Sequence, residues 1–262
     1  MICPICDGDC SLLDTVDFNK SCLVTLAALR PELAKVHEAD IQRFAQPSGV
    51  PVEYYLCGDC GFCYAPEICK WTDEDFRQKI YNADYGAVDP EYHEARPREN
   101  AGLLLRLFAQ AGPRLRHIDY GAGNGALSRQ LVQAGWKSLP FDPIAEGQRS
   151  LEGLGKFDLV TAFEVFEHVS DVRRLIEDLG KLAAEGGMIL FTTQLSDMHI
   201  AAGRPLDWWY AAPRNGHISL FSATSLAFLG SGAGLSFTTL MLGVHAYWRS
   251  PPLWAAHLVT AS

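Results

Sequence analysis

The chain is predicted to be an α/β protein. A doubly wound, mostly parallel sheet with an antiparallel C-terminal strand is expected, preceded by a small cysteine-bearing module. Three observations predict this. From Leu115 onward, apolar strand-like runs alternate with amphipathic helical runs, a pattern that builds parallel sheets with helices on their faces. Gly121, Gly123 and Gly125 crowd the junction of the first strand and its helix. All eight cysteines lie at or before Cys69.

The elements follow in order. Residues 1–70 form the cysteine-bearing module, with a helical-looking stretch, LAALRPELAKVHEADIQRF, interrupted at Pro31. Residues 71–97 read as a polar, aromatic connector or lid, and residues 98–262 as the main domain. Pro97 opens an amphipathic helix carrying Leu103, Leu104, Leu107 and Phe108, stopped by Gly112-Pro113. Strand LRHIDY leads through the glycines to helix ALSRQLVQAG. Strand SLPF ends at Asp142, and strand FDLVTAF ends near Glu164. Helix DVRRLIEDLGKLAAE is expected to stop at Gly186-Gly187, before strand MILFTT. A long loop then precedes helix SATSLAFLGSG, strand LSFTTLMLGVHAYW and a short terminal strand near AHLVTA. Crossovers between parallel strands are expected to be right-handed.

Composition narrows the function. The net charge of -9 argues against nucleic acid as partner, since a basic face is its usual footprint. No apolar run approaches the ~18 residues of a membrane helix, and MICPICDGDC does not read as a secretory signal. A cytoplasmic protein acting on a small molecule is expected, and the sequence does not fix its oligomeric state.

In a reducing compartment, clustered cysteines read as metal ligands rather than disulfides. Cys3-Pro-Ile-Cys6 and Cys57-Gly-Asp-Cys60 are two CxxC knuckles, each able to give two thiolates to a tetrahedral zinc. The module is expected to be zinc-ribbon-like, with Cys3, Cys6, Cys57 and Cys60 holding a structural zinc. Cys10, Cys22, Cys63 and Cys69 are spare thiols able to replace one of them.

In a doubly wound sheet the ligand docks outside the carboxyl ends of the strands, where the glycine loop lies. Gly121-Ala-Gly123-Asn-Gly125-Ala126 also satisfies a dinucleotide fingerprint. Asp119 separates the two cofactor types. A dinucleotide brings its pyrophosphate to this loop, and a carboxylate two residues before the first glycine would repel it. S-adenosylmethionine has no phosphate and carries a sulfonium and an α-ammonium. Asp142, at the end of the second strand, is placed for ribose hydroxyls.

HIDYGAGNG and the phrase KFDLVTAFEVFEHVSDVRRLIEDLGKLAAEGGMILFTT resemble the class I S-adenosylmethionine-dependent methyltransferases, over roughly residues 98–262. The resemblance implies a Rossmann-like fold. It implies a cofactor site of Asp119, Gly121, Gly123, Gly125, Asp142 and Glu164. One departure stands out: PIAEGQRSLEGLGK, between Asp142 and Phe157, is too short for the family's next helix, strand and loop. A reduced or missing third strand is expected, with no assignable adenine-bracketing residue.

The spacing of Glu164, Glu167 and His168 resembles that of ubiquinone-biosynthesis O-methyltransferases, some of which hold a divalent cation near a catechol-like acceptor. Two carboxylates and an imidazole suit such an ion; the favoured reading is that Glu167 and His168 bind loop amides while Glu164 helps seat the cofactor. His217, in the loop after the fifth strand, reads as a general base or as a loop-ordering histidine. Glu164 and His168 share the expected catalytic edge. Tyr85, His93 and His199 are weaker rim residues, and Tyr81 with Tyr85 reads as part of a lid. Trp208, Trp209 and Tyr210 cannot all point into one core.

The arrangement CPIC, CGDCGFCYAP and YNADYG resembles bacterial methyltransferases of glycan and deoxysugar pathways, which carry an N-terminal zinc-binding module. It implies a sugar nucleotide or glycan intermediate as acceptor, methylated on oxygen or carbon. Two alternatives stand beside it. One is metal-assisted methylation of a phenolic or quinone-like acceptor. The other is a binding module with a vestigial cofactor site.

Overall fold

The computed structural model describes residues 1–29, 37–144 and 150–259. The chain divides into two compact units, one of Met1–Glu91, Glu167–Asp171 and Gln194–Ser225, the other of Tyr92–Phe166, Val172–Thr193 and Leu226–Ser262. This division departs from the sequence expectation in two places. The connector is split after Glu91, and two later segments join the cysteine-bearing unit.

In the first unit, β1 (Cys10–Asp17), β2 (Pro51–Cys57), β3 (Cys63–Tyr64) and β8 (Ser219–Leu220) form one sheet in that order. All its pairings are antiparallel. The helical-looking insert yields α1 (Cys22–Leu29) and α2 (Glu38–Phe44). Pro31, expected to interrupt it, lies outside the described residues. Thr72 caps α3 (Asp73–Lys79) through a reciprocal box with Asp75, which supplies two of the helix's orphan donors with acceptors. A short α4 (Tyr85–Val88) follows. β3 and β8 are far apart in sequence, yet Cys63 pairs with Leu220 and Tyr64 with Ser219. That pairing draws residues 194–225 into this unit.

The second unit is built on a six-stranded sheet, ordered β5-β4-β6-β7-β10-β9. Its strands are β4 (Arg116–Tyr120), β5 (Lys137–Phe141), β6 (Phe157–Ala162), β7 (Ala183–Thr192), β9 (Ser236–Met241) and β10 (Val244–Trp248). β5, β4, β6 and β7 run parallel, while β10 is antiparallel to β7 and β9. Among the described residues no strand lies between β5 and β6, in keeping with the short segment there; residues 145–149 are outside the description.

The helices are α5 (Ala95–Leu107), α6 (Ala126–Gln133), α7 (Val172–Leu182), α8 (Ala223–Gly232) and α9 (Ala256–Val259). α5 starts two residues before Pro97, which sits in the first turn, where a missing N–H costs nothing. Leu104, Phe108, Leu127, Leu131, Leu159, Met188 and Leu190 are all buried in one core. That burial, at about 25 cal/mol per Å², drives the layers together.

Three local expectations are corrected. LSFTTLMLGVHAYW is a hairpin rather than one strand, because Gly243 takes φ +70 and reverses the chain. The terminal strand near AHLVTA is instead the helix α9, with residues 260–262 outside the description. α7 ends at Leu182, ahead of Gly186-Gly187, because Ala183 already pairs with Phe157 in the sheet. No described helix is long and apolar enough to cross a membrane.

Candidate functional site

In the second unit, β4 ends in Asp119 and Tyr120 and runs into the glycine loop. Gly121, Gly123 and Gly125 have φ of +74, +51 and +72, a region that side-chain-bearing residues avoid. Space is also short. A Cβ at Gly121 would lie 2.5 Å from Val165, and one at Gly123 2.9 Å from the Tyr92 hydroxyl. The loop is stitched to the end of β5, since Gly121 and Ala122 donate to the Phe141 carbonyl at 2.8 and 3.1 Å. Gly123 N–H donates to Asp142 Oδ2 at 2.7 Å, and Ile144 N–H to Oδ1 at 2.9 Å.

The result is an open cleft at the carboxyl ends of the strands, whose walls include Tyr92, Arg96, Asp119, Gly121, Gly123 and Glu164. Gly125 and Asp142 shape the loop without lining the cleft. Asp119 is buried and accepts from Thr161 Oγ1 at 2.7 Å. Burial pushes its carboxyl up to about 7, with Asp142 adding to the shift against the Thr161 bond. Glu164 sits at φ +54. Its N–H donates to Thr192 Oγ1 at 2.8 Å, Thr192 donates back to its carboxylate at 2.9 Å, and Arg96 Nε is 3.8 Å away. This closed pair of bonds holds a backbone conformation that costs of order 1–3 kcal/mol.

Glu167, His168 and His217 belong to the first unit, and their ligating atoms lie within 4.8 Å of one another. Glu164, expected beside Glu167 and His168, is in the other unit and bonds Thr192 instead; His217 takes the third place. Glu167 is wholly buried and its carbonyl accepts from Ile218 at 2.9 Å. His217 is buried, with Nδ1 2.8 Å from the Tyr210 carbonyl oxygen. A carbonyl only accepts, so Nδ1 carries the hydrogen and Nε2 presents a lone pair, the tautomer of a base or a metal ligand. Tyr54 fixes the backbone there by donating to the His217 carbonyl at 2.6 Å.

The His168 and His217 rings stand edge to face at 4.9 Å. Tyr81 packs on Tyr85 and 6.3 Å from His168. Trp208 and Tyr210 are buried while Trp209 is half-buried. His199 stacks flat on Trp208 at 4.9 Å. His93, in the second unit, packs against Tyr92 at 4.9 Å and accepts from Asn124 through its carbonyl at 3.3 Å.

The cysteine knuckles meet because β1 pairs with β2, placing Cys10 opposite Cys57. Cys3 and Cys60 sulfurs are 3.7 Å apart, Cys6 and Cys57 sulfurs 3.5 Å. Four thiolates at 2.3 Å around a tetrahedral zinc are ~3.8 Å apart, so the spacing fits that ion. The bond to Cys60 pulls the Cys3 thiol down to about 5, while burial above all pushes Cys10 up to about 12. Cys22 Sγ lies 3.8 Å from His217 Nδ1, away from the four.

Sequence inspection missed Tyr92, Arg96, Thr161 and His117. Arg96 and Tyr92 come from a stretch with no local motif. His117 and Thr161 had one faint signal, a polar side chain inside an apolar strand.

A glycine loop, an acidic strand end and a cleft at the carboxyl ends of a parallel sheet mark the place where doubly wound folds hold a ligand. A family model described as a methyltransferase domain matches residues 92–240, more than half of the chain, and the chain belongs to that family. It is 31% identical over 150 residues to the ubiquinone biosynthesis O-methyltransferase of Methylococcus capsulatus, covering 47% of this chain and 56% of that one. It is 30% identical over 92 residues to the protein of that name from Colwellia psychrerythraea, covering 35% and 37%. The match thus spans 37% to 56% of the length of these curated relatives. Among solved structures it is similar to the 1,6-didemethyltoxoflavin-N1-methyltransferase of Burkholderia thailandensis. There the TM-score is 0.47 and identity 17%, covering 72% of this chain and 94% of that one.

Proposed function

We propose that the chain methylates a small-molecule acceptor, a sugar nucleotide or glycan intermediate, on oxygen or carbon, with S-adenosylmethionine as donor. The buried Asp119 carboxylate lining the glycine-loop cleft carries this reading, since it suits a cationic ligand and opposes a pyrophosphate. Asp119 would face the cation, the glycine loop would admit the nucleoside and methionine portions, and Asp142 would hold both the loop and the ribose. Glu164 and Arg96 would bracket the methionine tail's charges.

Bound S-adenosylmethionine supplies an electrophilic methyl group on a sulfonium. The glycine loop, Asp119 and Asp142 would hold it, and the chemistry it would supply is a methyl group for the acceptor atom. His217 is the candidate general base: its Nδ1–H bond to Tyr210 leaves Nε2 the unprotonated nitrogen, which would take the acceptor's proton. His168 and Glu167 steady the imidazolium that results. The four cysteines would hold a structural zinc, which takes no part in the chemistry.

A second reading is metal-assisted methylation of a phenolic or quinone-like acceptor. The grouping of Glu167, His168 and His217 favours it, as do relatives named for ubiquinone biosynthesis. The test is release of S-adenosylhomocysteine from labelled donor with nucleotide sugars and catechols, each with and without magnesium. Turnover of a nucleotide sugar without magnesium is expected, abolished in Asp119→Asn. In His217→Ala, kcat should fall about 10²–10⁴-fold with KM little changed. Magnesium-dependent turnover of catechols alone would replace the first reading by the second.

A further inference from the structure

His117 is the second residue of β4 and is wholly buried. Its Nδ1 is 2.7 Å from Ser138 Oγ and its Nε2 3.0 Å from Thr161 Oγ1. Thr161 Oγ1 is in turn 2.7 Å from Asp119 Oδ1. These four side chains form one unbroken row across β5, β4 and β6, from half-buried Ser138 to the wall of the cleft. Burial drives the His117 pKa down to about 3, so the imidazole is neutral and carries a single N–H.

That single hydrogen allows only two continuous arrangements. With Asp119 ionised, Thr161 must donate to the carboxylate, so its oxygen accepts from His117 Nε2–H, and Nδ1 accepts from Ser138. With Asp119 protonated towards Thr161, every donor reverses: Thr161 donates to Nε2, and Nδ1–H donates to Ser138. Passing from the second state to the first moves one hydrogen at each link and releases one proton to solvent.

We propose that His117 and Thr161 are positioning residues that tie the ionisation of Asp119 to occupancy of the cleft, so that the imidazole changes tautomer when a cationic ligand binds. This rests on the cleft being the S-adenosylmethionine site. An ammonium beside Asp119 selects the ionised arrangement, and the row then presents a donor to the carboxylate instead of an acceptor. Among the described residues, the other charged and titratable groups around Asp119 are few. Asp142 at the end of β5 opposes ionisation. Arg96 of α5, Tyr92 and Glu164 after β6 share the cleft wall. Arg129 of α6 turns onto the Asn124 carbonyl.

The test has two parts, both on the full chain. Binding of S-adenosylhomocysteine, which keeps the α-ammonium, is titrated calorimetrically from pH 5.5 to 9 in the wild type and in Thr161→Val. In the wild type, affinity should rise about tenfold per pH unit up to the Asp119 midpoint and then level. In T161V, loss of a bond to a charged group should move that midpoint up by about one unit. Binding is then roughly fivefold weaker at pH 7 and about tenfold weaker near pH 5.5, and the curves converge at the alkaline end. Separately, imidazole ¹⁵N spectra of the wild type should show Nδ1–H for His117 in the empty protein at pH 5.5 and Nε2–H in the loaded one. A T161V titration matching the wild type, or one N–H nitrogen throughout, overturns the proposal. Failure of the wild type to bind S-adenosylhomocysteine overturns the cofactor reading instead. The pH titration of the empty protein's tautomer still decides the relay.

Discussion

Burial holds the Asp119 carboxyl at about 7, against 3.8 in solvent. Between roughly pH 4 and 7 the folded chain therefore binds more protons than the unfolded chain. Stability falls as pH rises across that window and is level above it, a cost on the order of 4 kcal/mol. Asp119→Asn keeps an acceptor for Thr161 and never ionises. It should melt several degrees above the empty wild type at pH 8, with no gain at pH 4, while failing to bind cofactor. Thermal melts at the two pH values check this, and a variant that melts lower at pH 8 would contradict it. Asp119 and its glycines were legible because their chemistry is local: an acid and three glycines within a few residues. His217 was legible as a polar side chain in the loop after the fifth strand. Its tautomer was not, since that depends on the Tyr210 carbonyl seven residues earlier. Arg96 and Tyr92 reach the cleft from a helix and its approach, where no spacing rule points to a ligand.

At the scale of elements, register decides what meets what. The β1–β2 ladder sets Cys10 against Cys57, and the two knuckles at its end close on each other. Purified protein should carry one zinc per chain by atomic absorption. Chelation should lower the melting point, since the ion's binding energy is folding energy for a small unit. A metal-free preparation whose melting is unmoved by chelator would remove the zinc assignment. The strand and helix sequence from Leu115 was legible because periods of 2 and about 3.6 are written in apolar residues. The β9–β10 reversal was hidden, because its apolar run continues through the turn and Leu242 is almost fully exposed. The early end of α7 was hidden for a different reason. Ala183 and Ala184 suit a helix, and only the pairing of Ala183 with Phe157 of β6 draws the chain into the sheet there.

At the scale of the whole molecule, the first unit is assembled from three separated stretches of chain. The cysteines marked its first stretch, but nothing local in residues 194–225 announced that β8 would close a sheet begun near the N-terminus. A fragment of residues 92–262 would therefore keep the six-stranded sheet but leave Ile218, Leu220 and Phe221, all wholly buried in the full chain, without the strands that cover them. It is expected to express as aggregate or to melt without cooperativity, measured by sedimentation and circular dichroism; a monomeric, cooperatively melting fragment would show the second unit to be self-sufficient. The same interleaving bears on how such genes recombine. A crossover just after codon 91 would look like a clean exchange of one front end for another. It would in fact separate β3 from β8, and a viable chimera must inherit both ends of that ladder from one parent.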